Sequence, residues 1–140
     1  MFELTQEVEV AAPLDAVWHD WTDPASLEEW FWPASLEPAA HVVPEPAGSW
    51  LVRSVPASMA VVATVVSLDA PHVMRLQWSW EGEEDHVTEV QVSLDTVDGG
   101  GTRVRVVHSG LLTEDEVASH EQGWADCLDR LVARRRGVES

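Results

Sequence analysis

From about residue 36 to residue 109 the sequence is rich in valine and is interrupted by turn residues at short intervals. No helical period survives there, and apolar residues alternate with polar ones, which indicates half-buried antiparallel strands. The turns fall at PEPAG, PA, DAPH, EGEED and DGGG, of which DGGG is the clearest hairpin signal. We predict strands near Leu36–Val43, Ser49–Val55, Met59–Leu68, Val73–Trp80, His86–Asp95 and Thr102–His108.

One further strand and two short helices precede this region. Residues Phe2–Val10 alternate with a period of two, as in a half-buried strand. The stretch APLDAVWHDW has amphipathic helical spacing, with apolar positions at Leu14, Val17, Trp18 and Trp21. Asp23 can cap a second helix that ends in the aromatic run WFW at residues 30–32. We expect this run to close the rim of the core, with Trp32 the most exposed of the three.

The segment from residue 113 to residue 136 predicts the longest helix. It opens with a capping box between Thr113 and Glu116 and ends in three arginines that compensate the helix dipole. Its inward stripe is predicted to contain Val117, His120, Trp124, Cys127, Leu128 and Leu131. Because only this helix is long enough to cover the apolar face of the sheet, we expect the sheet to curve around it.

The predicted architecture is therefore α+β and forms one domain over residues 1–140. A curved antiparallel sheet of six or seven strands wraps around a long C-terminal helix, and two short helices follow the first strand. The element order is β-α-α-β6-α.

Charge and composition argue against several classes of function. Acidic residues outnumber basic ones 25 to 8, for a formal charge of -17, so we expect no nucleic-acid partner and no membrane insertion. The single cysteine, Cys127, and an N-terminus that alternates instead of being continuously apolar predict a cytoplasmic protein. Metal-ligand spacings, a nucleotide-binding glycine motif and a nucleophile elbow are missing, so neither a metal nor a cofactor is expected.

Two motifs resemble a known family. DPASLEEWFWP (residues 23–33) is similar to the signature DPxxLxxWFxP, and TRVRVVHSGL followed by GWADCLDRLVARR is similar to the C-terminal motif of the same group. With the element order, they resemble the helix-grip fold of the START-like superfamily, also called SRPBCC or Bet v 1-like. The group concerned is the activator of heat-shock-protein-90 ATPase homologue-like group, related to polyketide cyclase proteins, and it includes ligand binders and stress proteins. This resemblance covers essentially the whole chain and implies a cavity between sheet and long helix.

Strand parity predicts which side chains line such a cavity. In the strand at residues 73–80 the even positions are apolar, so Met74, Trp78 and Trp80 point inward. In the two following strands, polar side chains lie on the same inward face as the valines: His86 and Thr88 in one strand and His108 in the other. An apolar wall with a few polar groups is typical of a small-molecule pocket. The expected cavity residues are Trp78, Trp80, Met74, Thr88, His86, His108, Trp124 and Trp30.

Three functions stay open. The favoured one is binding of a hydrophobic or aromatic small molecule, although each tryptophan is also explained as core packing. The second is a polyketide cyclase-like or hydrolase-like enzyme that uses His86 or His108 as acid or base; no nucleophile or partner carboxylate is set by spacing, so we expect binding without catalysis. The third is a co-chaperone-like contact with another protein, which the group name implies. The protein is expected to be a monomer or a weak dimer.

Overall fold

The computed structural model describes residues 1–137, in which seven strands form one antiparallel sheet. The strands are Phe2–Val10 (β1), Ala39–Val42 (β2), Ser49–Ser54 (β3), Met59–Asp69 (β4), Val73–Trp80 (β5), Thr88–Thr96 (β6) and Thr102–Leu111 (β7). The α-helices are Leu14–Thr22 (α1), Pro24–Trp30 (α2) and Glu114–Gly137 (α3). The strand order is β1-β7-β6-β5-β4-β3-β2, so β1 and β2 form the edges. The predicted α+β helix-grip arrangement is confirmed.

Alternation along the central strands places one face of the sheet in the core. In β5, Met74, Leu76 and Trp78 are buried, whereas Arg75 and Gln77 are exposed. The inward positions of β6 and β7 are Thr88, Val90, Val92, Leu94, Val104, Val106 and His108. From α3, the buried side chains are Trp124, Cys127, Leu128 and Leu131. The long helix thus packs its apolar stripe onto this face, as its sequence pattern predicts.

Local hydrogen bonds define where two of the helices begin. Asp23 Oδ2 accepts the N–H of Ser26 at 3.0 Å and caps α2; this bond, followed by the one from the Ser26 hydroxyl, holds the pKa of Asp23 below its usual value. At the start of α3, Thr113 Oγ1 accepts the N–H of Glu116 at 3.0 Å, and Glu116 Oε1 accepts the N–H of Leu112 at 2.6 Å. In a standard capping box the Glu116 side chain would accept the N–H of Thr113; here it accepts the N–H of Leu112 instead.

Two predicted strand starts are wrong by two residues or more, and the last strand, expected to end at His108, continues to Leu111. The strand expected from Leu36 begins only at Ala39, because residues 34–36 form a 3-10 turn and Glu37 adopts a φ of 49°. The strand expected from His86 begins at Thr88, because His86 still belongs to the preceding turn, where its N–H donates to the carbonyl of Glu83 at 3.0 Å.

The arginines at the end of α3 do more than compensate the helix dipole. Arg135 donates to both oxygens of Asp20, each at 2.8 Å, and Asp20 has 0% of its surface exposed. Arg134 pairs with Asp20 and with Glu29. These ion pairs fasten the C-terminal part of α3 to α1 and α2.

Candidate functional site

Seven of the eight tryptophans and Phe31 form one connected aromatic cluster between the sheet and α3. Phe31 lies near its middle, with ring centroids 5.3 Å from Trp50 and 5.9 Å from Trp124. The tryptophans of the cluster are Trp21, Trp30, Trp32, Trp50, Trp78, Trp80 and Trp124. Their rings fill the inner part of the space that the sequence predicted as a cavity.

A pocket of about 460 Å³ lies at the outer end of this cluster. Its walls are residues 31–33, which follow α2, Trp78 and Trp80 of β5, and one face of α3. The helix contributes Ser119, His120, Gly123, Trp124, Asp126, Cys127 and Arg130. The indoles of Trp32 and Trp80 are parallel to within 5°, with centroids 6.3 Å apart. This volume is typical of a site for a small molecule, and the wall is largely aromatic.

Three of the residues predicted for the cavity, Trp78, Trp80 and Trp124, line this pocket. The others lie elsewhere. Met74 and Trp30 are fully buried in the core, and the indole N–H of Trp30 donates to the carbonyl of Asp20 at 2.9 Å. The even positions of β5 do point inward, but the strand is long enough that only its last two tryptophans reach the pocket.

Trp32 is the most exposed of the three aromatic residues at 30–32, as expected, but all three are buried. Only 7% of Trp32 is exposed, because its ring lies against those of Phe31 and Trp80. The aromatic run therefore forms a wall of the pocket and contributes little free surface outside it.

His108 lies at the centre of a buried hydrogen-bond chain. Its Nδ1 accepts the indole N–H of Trp124 at 3.1 Å, so the neutral ring carries its proton on Nε2. Nε2 then donates to Thr88 Oγ1 at 2.7 Å, and that hydroxyl donates to the carbonyl of Trp78 at 3.3 Å. Burial, assisted by nearby His120, lowers the pKa of His108 from 6.5 to about 3. With both nitrogens engaged and the ring neutral, His108 is poorly placed for the acid-base role considered above.

His86, the other acid-base candidate, lies outside the pocket. Its Nε2 is 2.7 Å from Glu116 Oε2 in the first turn of α3. Although partial burial raises the pKa of Glu116, the hydrogen bonds from the Leu112 N–H and from His86 outweigh it and leave that pKa below 4.5. The pair joins the β5–β6 loop to α3. His86 and Thr88 border a second, open groove of about 660 Å³ beside the start of β1.

His120 is a pocket residue to which the sequence assigned no role. Its Nδ1 lies 2.9 Å from the carbonyl of Glu116 and must donate to it, so in the neutral ring Nε2 is the acceptor. That nitrogen accepts the indole N–H of Trp80 at 3.2 Å. The neutral His120 therefore fixes the orientation of the Trp80 ring. The sequence predicted only that His120 lies on the inward stripe of the last helix.

Cys127 and Arg130 secure the segment that carries the aromatic run. Cys127 Sγ donates to the carbonyl of Phe31 at 2.8 Å, and Arg130 donates to the carbonyls of Trp30 and Phe31 at 3.0 and 2.9 Å. Burial raises the pKa of Cys127 to about 12, against the opposing effect of the Arg130 charge. These bonds satisfy carbonyls at the end of α2 and hold the 31–33 wall of the pocket against α3.

Residues 11–134 match the family model for Activator of Hsp90 ATPase homolog 1-like protein. The match includes the first motif, every element from α1 to β7, and the second motif and α3 as far as Arg134. The chain belongs to this family. No curated protein matches the sequence.

Solved structures share the fold of this Hsp90-ATPase-activator-like chain. The solution structure of the Aha1 dimer from Colwellia psychrerythraea has a TM-score of 0.81 and 20% identity over 96% of each chain. Ms6760 from Mycobacterium smegmatis has a TM-score of 0.76 and 21% identity, over 94% of this chain and 88% of that one. DynU16, of the dynemicin biosynthetic locus, has a TM-score of 0.80 and 24% identity over 99% of this chain. The match covers 47% of DynU16, so this chain spans about half its length.

Two buried indole N–H groups of this family member have no hydrogen-bond partner among residues 1–137: those of Trp21 and Trp78. Trp78 lines the pocket, whereas Trp21 packs between Trp30 and Trp124 in the core. Buried donors are paired in the great majority of cases, so each such group calls for an explanation.

Across residues 1–137, His, Cys, Asp and Glu side chains do not gather in groups of three or more that could hold a metal ion. Within the same range, no helix is both long and apolar enough to cross a membrane. The polar groups that the pocket wall does contain are the indole, imidazole and guanidinium N–H groups, one hydroxyl, one thiol and one carboxylate.

Proposed function

We propose that this protein binds a hydrophobic, aromatic small molecule in the pocket between α3, β5 and residues 31–33. The observation that carries the proposal is the wall formed by the parallel indoles of Trp32 and Trp80, which continues inward to Trp78 and Trp124. Aromatic rings attract one another in stacked and edge-to-face arrangements with centroids about 4.5–7 Å apart. A planar ligand at this wall can stack on Trp80 and make an edge-to-face contact with Trp78, because those two rings are inclined by 89°.

Charge supports a neutral ligand. The chain has a formal charge of -17, which disfavours the approach of an anion such as a fatty acid. The guanidinium of Arg130 at the pocket is already donating to the carbonyls of Trp30 and Phe31. The guanidinium is therefore engaged in hydrogen bonds within the protein. Apolar contact remains as the main source of affinity for a ligand.

The proposal is binding without turnover. The imidazoles nearest the pocket, His108 and His120, each have both ring nitrogens in hydrogen bonds within the protein. A general base needs an available lone pair within reach of its substrate. We further propose a cytoplasmic location, in which the single thiol of Cys127 stays reduced, and a monomer or weak dimer as the working form.

The test is a titration with N-phenyl-1-naphthylamine, a neutral aromatic probe whose emission rises in apolar surroundings. We expect saturable binding, weakened about tenfold by Trp80→Ala or Trp32→Ala, since each removes a stacking surface and its buried area. Trp18→Ala is the matched control, because Trp18 lies on α1 outside the aromatic cluster and should leave the affinity unchanged.

A folded protein that gives no saturable signal, or one that loses as much affinity in the control variant as in the pocket variants, would overturn the proposal. The surface contact with a chaperone that the family description implies would then become the leading hypothesis.

A further inference from the structure

The indole N–H of Trp78, like that of Trp21, has no hydrogen-bond partner within residues 1–137, and Trp78 is the one of the two that lines the pocket. Other tryptophans of the cluster have acceptors in the fold: Trp30 donates to the Asp20 carbonyl, Trp50 to the Trp21 carbonyl, Trp80 to His120 and Trp124 to His108. Trp78 is 3% exposed, and its Nε1 reaches neither solvent nor an acceptor within residues 1–137. A buried donor left in this state costs free energy that an acceptor of suitable geometry would recover.

The position of Trp78 indicates where such an acceptor would come from. Its ring is a wall of the pocket, 5.2 Å from the ring of Trp124 and 6.3 Å from that of Trp80. The planes of Trp78 and Trp80 are inclined by 89°. A planar molecule stacked on Trp80 therefore lies nearly perpendicular to the indole of Trp78. We call the edge of such a molecule that is nearest Trp78 its inner edge.

We propose that the pocket selects planar aromatic ligands that carry a hydrogen-bond acceptor, such as a ring ketone, on the inner edge, and that the indole N–H of Trp78 donates to it. This inference rests on the proposed function, because it assigns the chemical class of ligand for the same pocket. Trp78 is then a specificity-determining residue. An acceptor is preferred to a donor there because an indole nitrogen can only donate.

The test compares two probes of the same three-ring frame, fluorene and 9-fluorenone, which differ in the ring carbonyl. Both are measured by displacement of N-phenyl-1-naphthylamine. We expect 9-fluorenone to bind about tenfold more tightly than fluorene. Trp78→Phe keeps an aromatic ring but removes the N–H, and should bring the affinities for 9-fluorenone and fluorene to the same value, whatever its effect on their common level. Trp21→Phe is the matched control, since it removes the other unpaired buried N–H at a position outside the pocket and should preserve the preference.

Each outcome is decisive. Equal affinities of the two probes in the wild type, or a preference that persists in Trp78→Phe, overturn the inference and leave the proposed function standing. Failure of all three aromatic molecules to bind overturns the proposed function itself. If Trp78→Phe does not fold, the inference is tested in the wild type by following the assigned ¹H–¹⁵N indole resonance of Trp78 during titration with each probe. This resonance should move further downfield with 9-fluorenone than with fluorene, because only the ketone accepts a hydrogen bond; equal shifts or the reverse order overturn the inference.

Discussion

The indole N–H of Trp124 donates to Nδ1 of His108 at 3.1 Å, in an interior where His108 has 0% of its surface exposed. This bond joins the middle of α3 to β7, and it determines which nitrogen of His108 carries the proton. Trp124, one of the tryptophans that line the pocket, is therefore positioned by a histidine lying deeper in the fold. Several measurable properties depend on this chain of hydrogen bonds.

Replacing His108 by phenylalanine should lower the free energy of unfolding by about 2–4 kcal/mol, because the Trp124 N–H and the Thr88 hydroxyl both lose a buried partner. Urea-induced unfolding measures the change. Thr88→Val removes the acceptor of His108 Nε2 and the 3.3 Å donor to the Trp78 carbonyl, and should cost less because the bond between Trp124 and His108 remains. A His108→Phe protein as stable as the wild type would contradict this account of the core.

Stability should fall on acidification below pH 6.5. Burial, with the neighbouring His120, lowers the pKa of His108 from 6.5 to about 3, so between these values the unfolded chain binds a proton that the folded chain does not. Stability is therefore retained above pH 6.5 and lost as pH falls, by up to about 1.4 kcal/mol per pH unit from this group. Unfolding midpoints between pH 4.5 and 7.5 measure the slope. His108→Gln should flatten it, whereas His41→Gln, at an exposed histidine, should not. The same slope in both variants would exclude His108 as its source.

Breaking the ion pair between Asp20 and Arg135 should be costly. Arg135→Met leaves a buried carboxylate with only the more distant Arg134 as a partner, and should lower the free energy of unfolding by about 3 kcal/mol. Asp20→Asn combined with Arg135→Met should cost less than the sum of the single changes. The control is Arg136→Met, at an exposed arginine one residue further, with an expected effect within about 0.5 kcal/mol. Equal losses at positions 135 and 136 would show that the pair is unimportant.

The thiol of Cys127 should resist modification while the protein is folded. Burial raises its pKa from 9.0 to about 12, which lowers the thiolate fraction about 1,000-fold at neutral pH. Reaction with 5,5′-dithiobis(2-nitrobenzoic acid) should therefore be slow in buffer and fast in denaturing urea. Cys127→Ser keeps a donor toward the Phe31 carbonyl and should be better tolerated than Cys127→Val. Fast reaction of the native protein would show that the 31–33 segment opens readily.

The strands were predictable because burial on one side of a sheet imposes a period of two on the sequence. The bounds Val73–Trp80 agree with β5 at both ends, and the inward side of β6 and β7 follows the same alternation. The error at His86 arose where that alternation was extended into a turn. The sequence contains no periodic signal that moves the start of this strand from His86 to Thr88, since Val87 and Thr88 both suit either a turn or a strand.

The pocket was less predictable because its contacts join distant positions. Trp32 is buried by Trp80, and Trp80 is oriented by His120, which lies 40 residues further along the chain. No local pattern specifies such pairs. The missing acceptor of Trp78 is likewise a property of packing, since the same residue type at positions 30 and 50 has a carbonyl within reach.

The bonds from Cys127 and Arg130 to the carbonyls after α2 also bear on motion. Movement of residues 31–33 away from the pocket would break those bonds, so we expect opening of the pocket and loosening of the second half of α3 to form one cooperative unit. A bound molecule stabilises the closed form of that unit by mass action. Occupancy should therefore slow amide hydrogen exchange in α3 near Cys127 and Arg130, well beyond the atoms that the molecule touches.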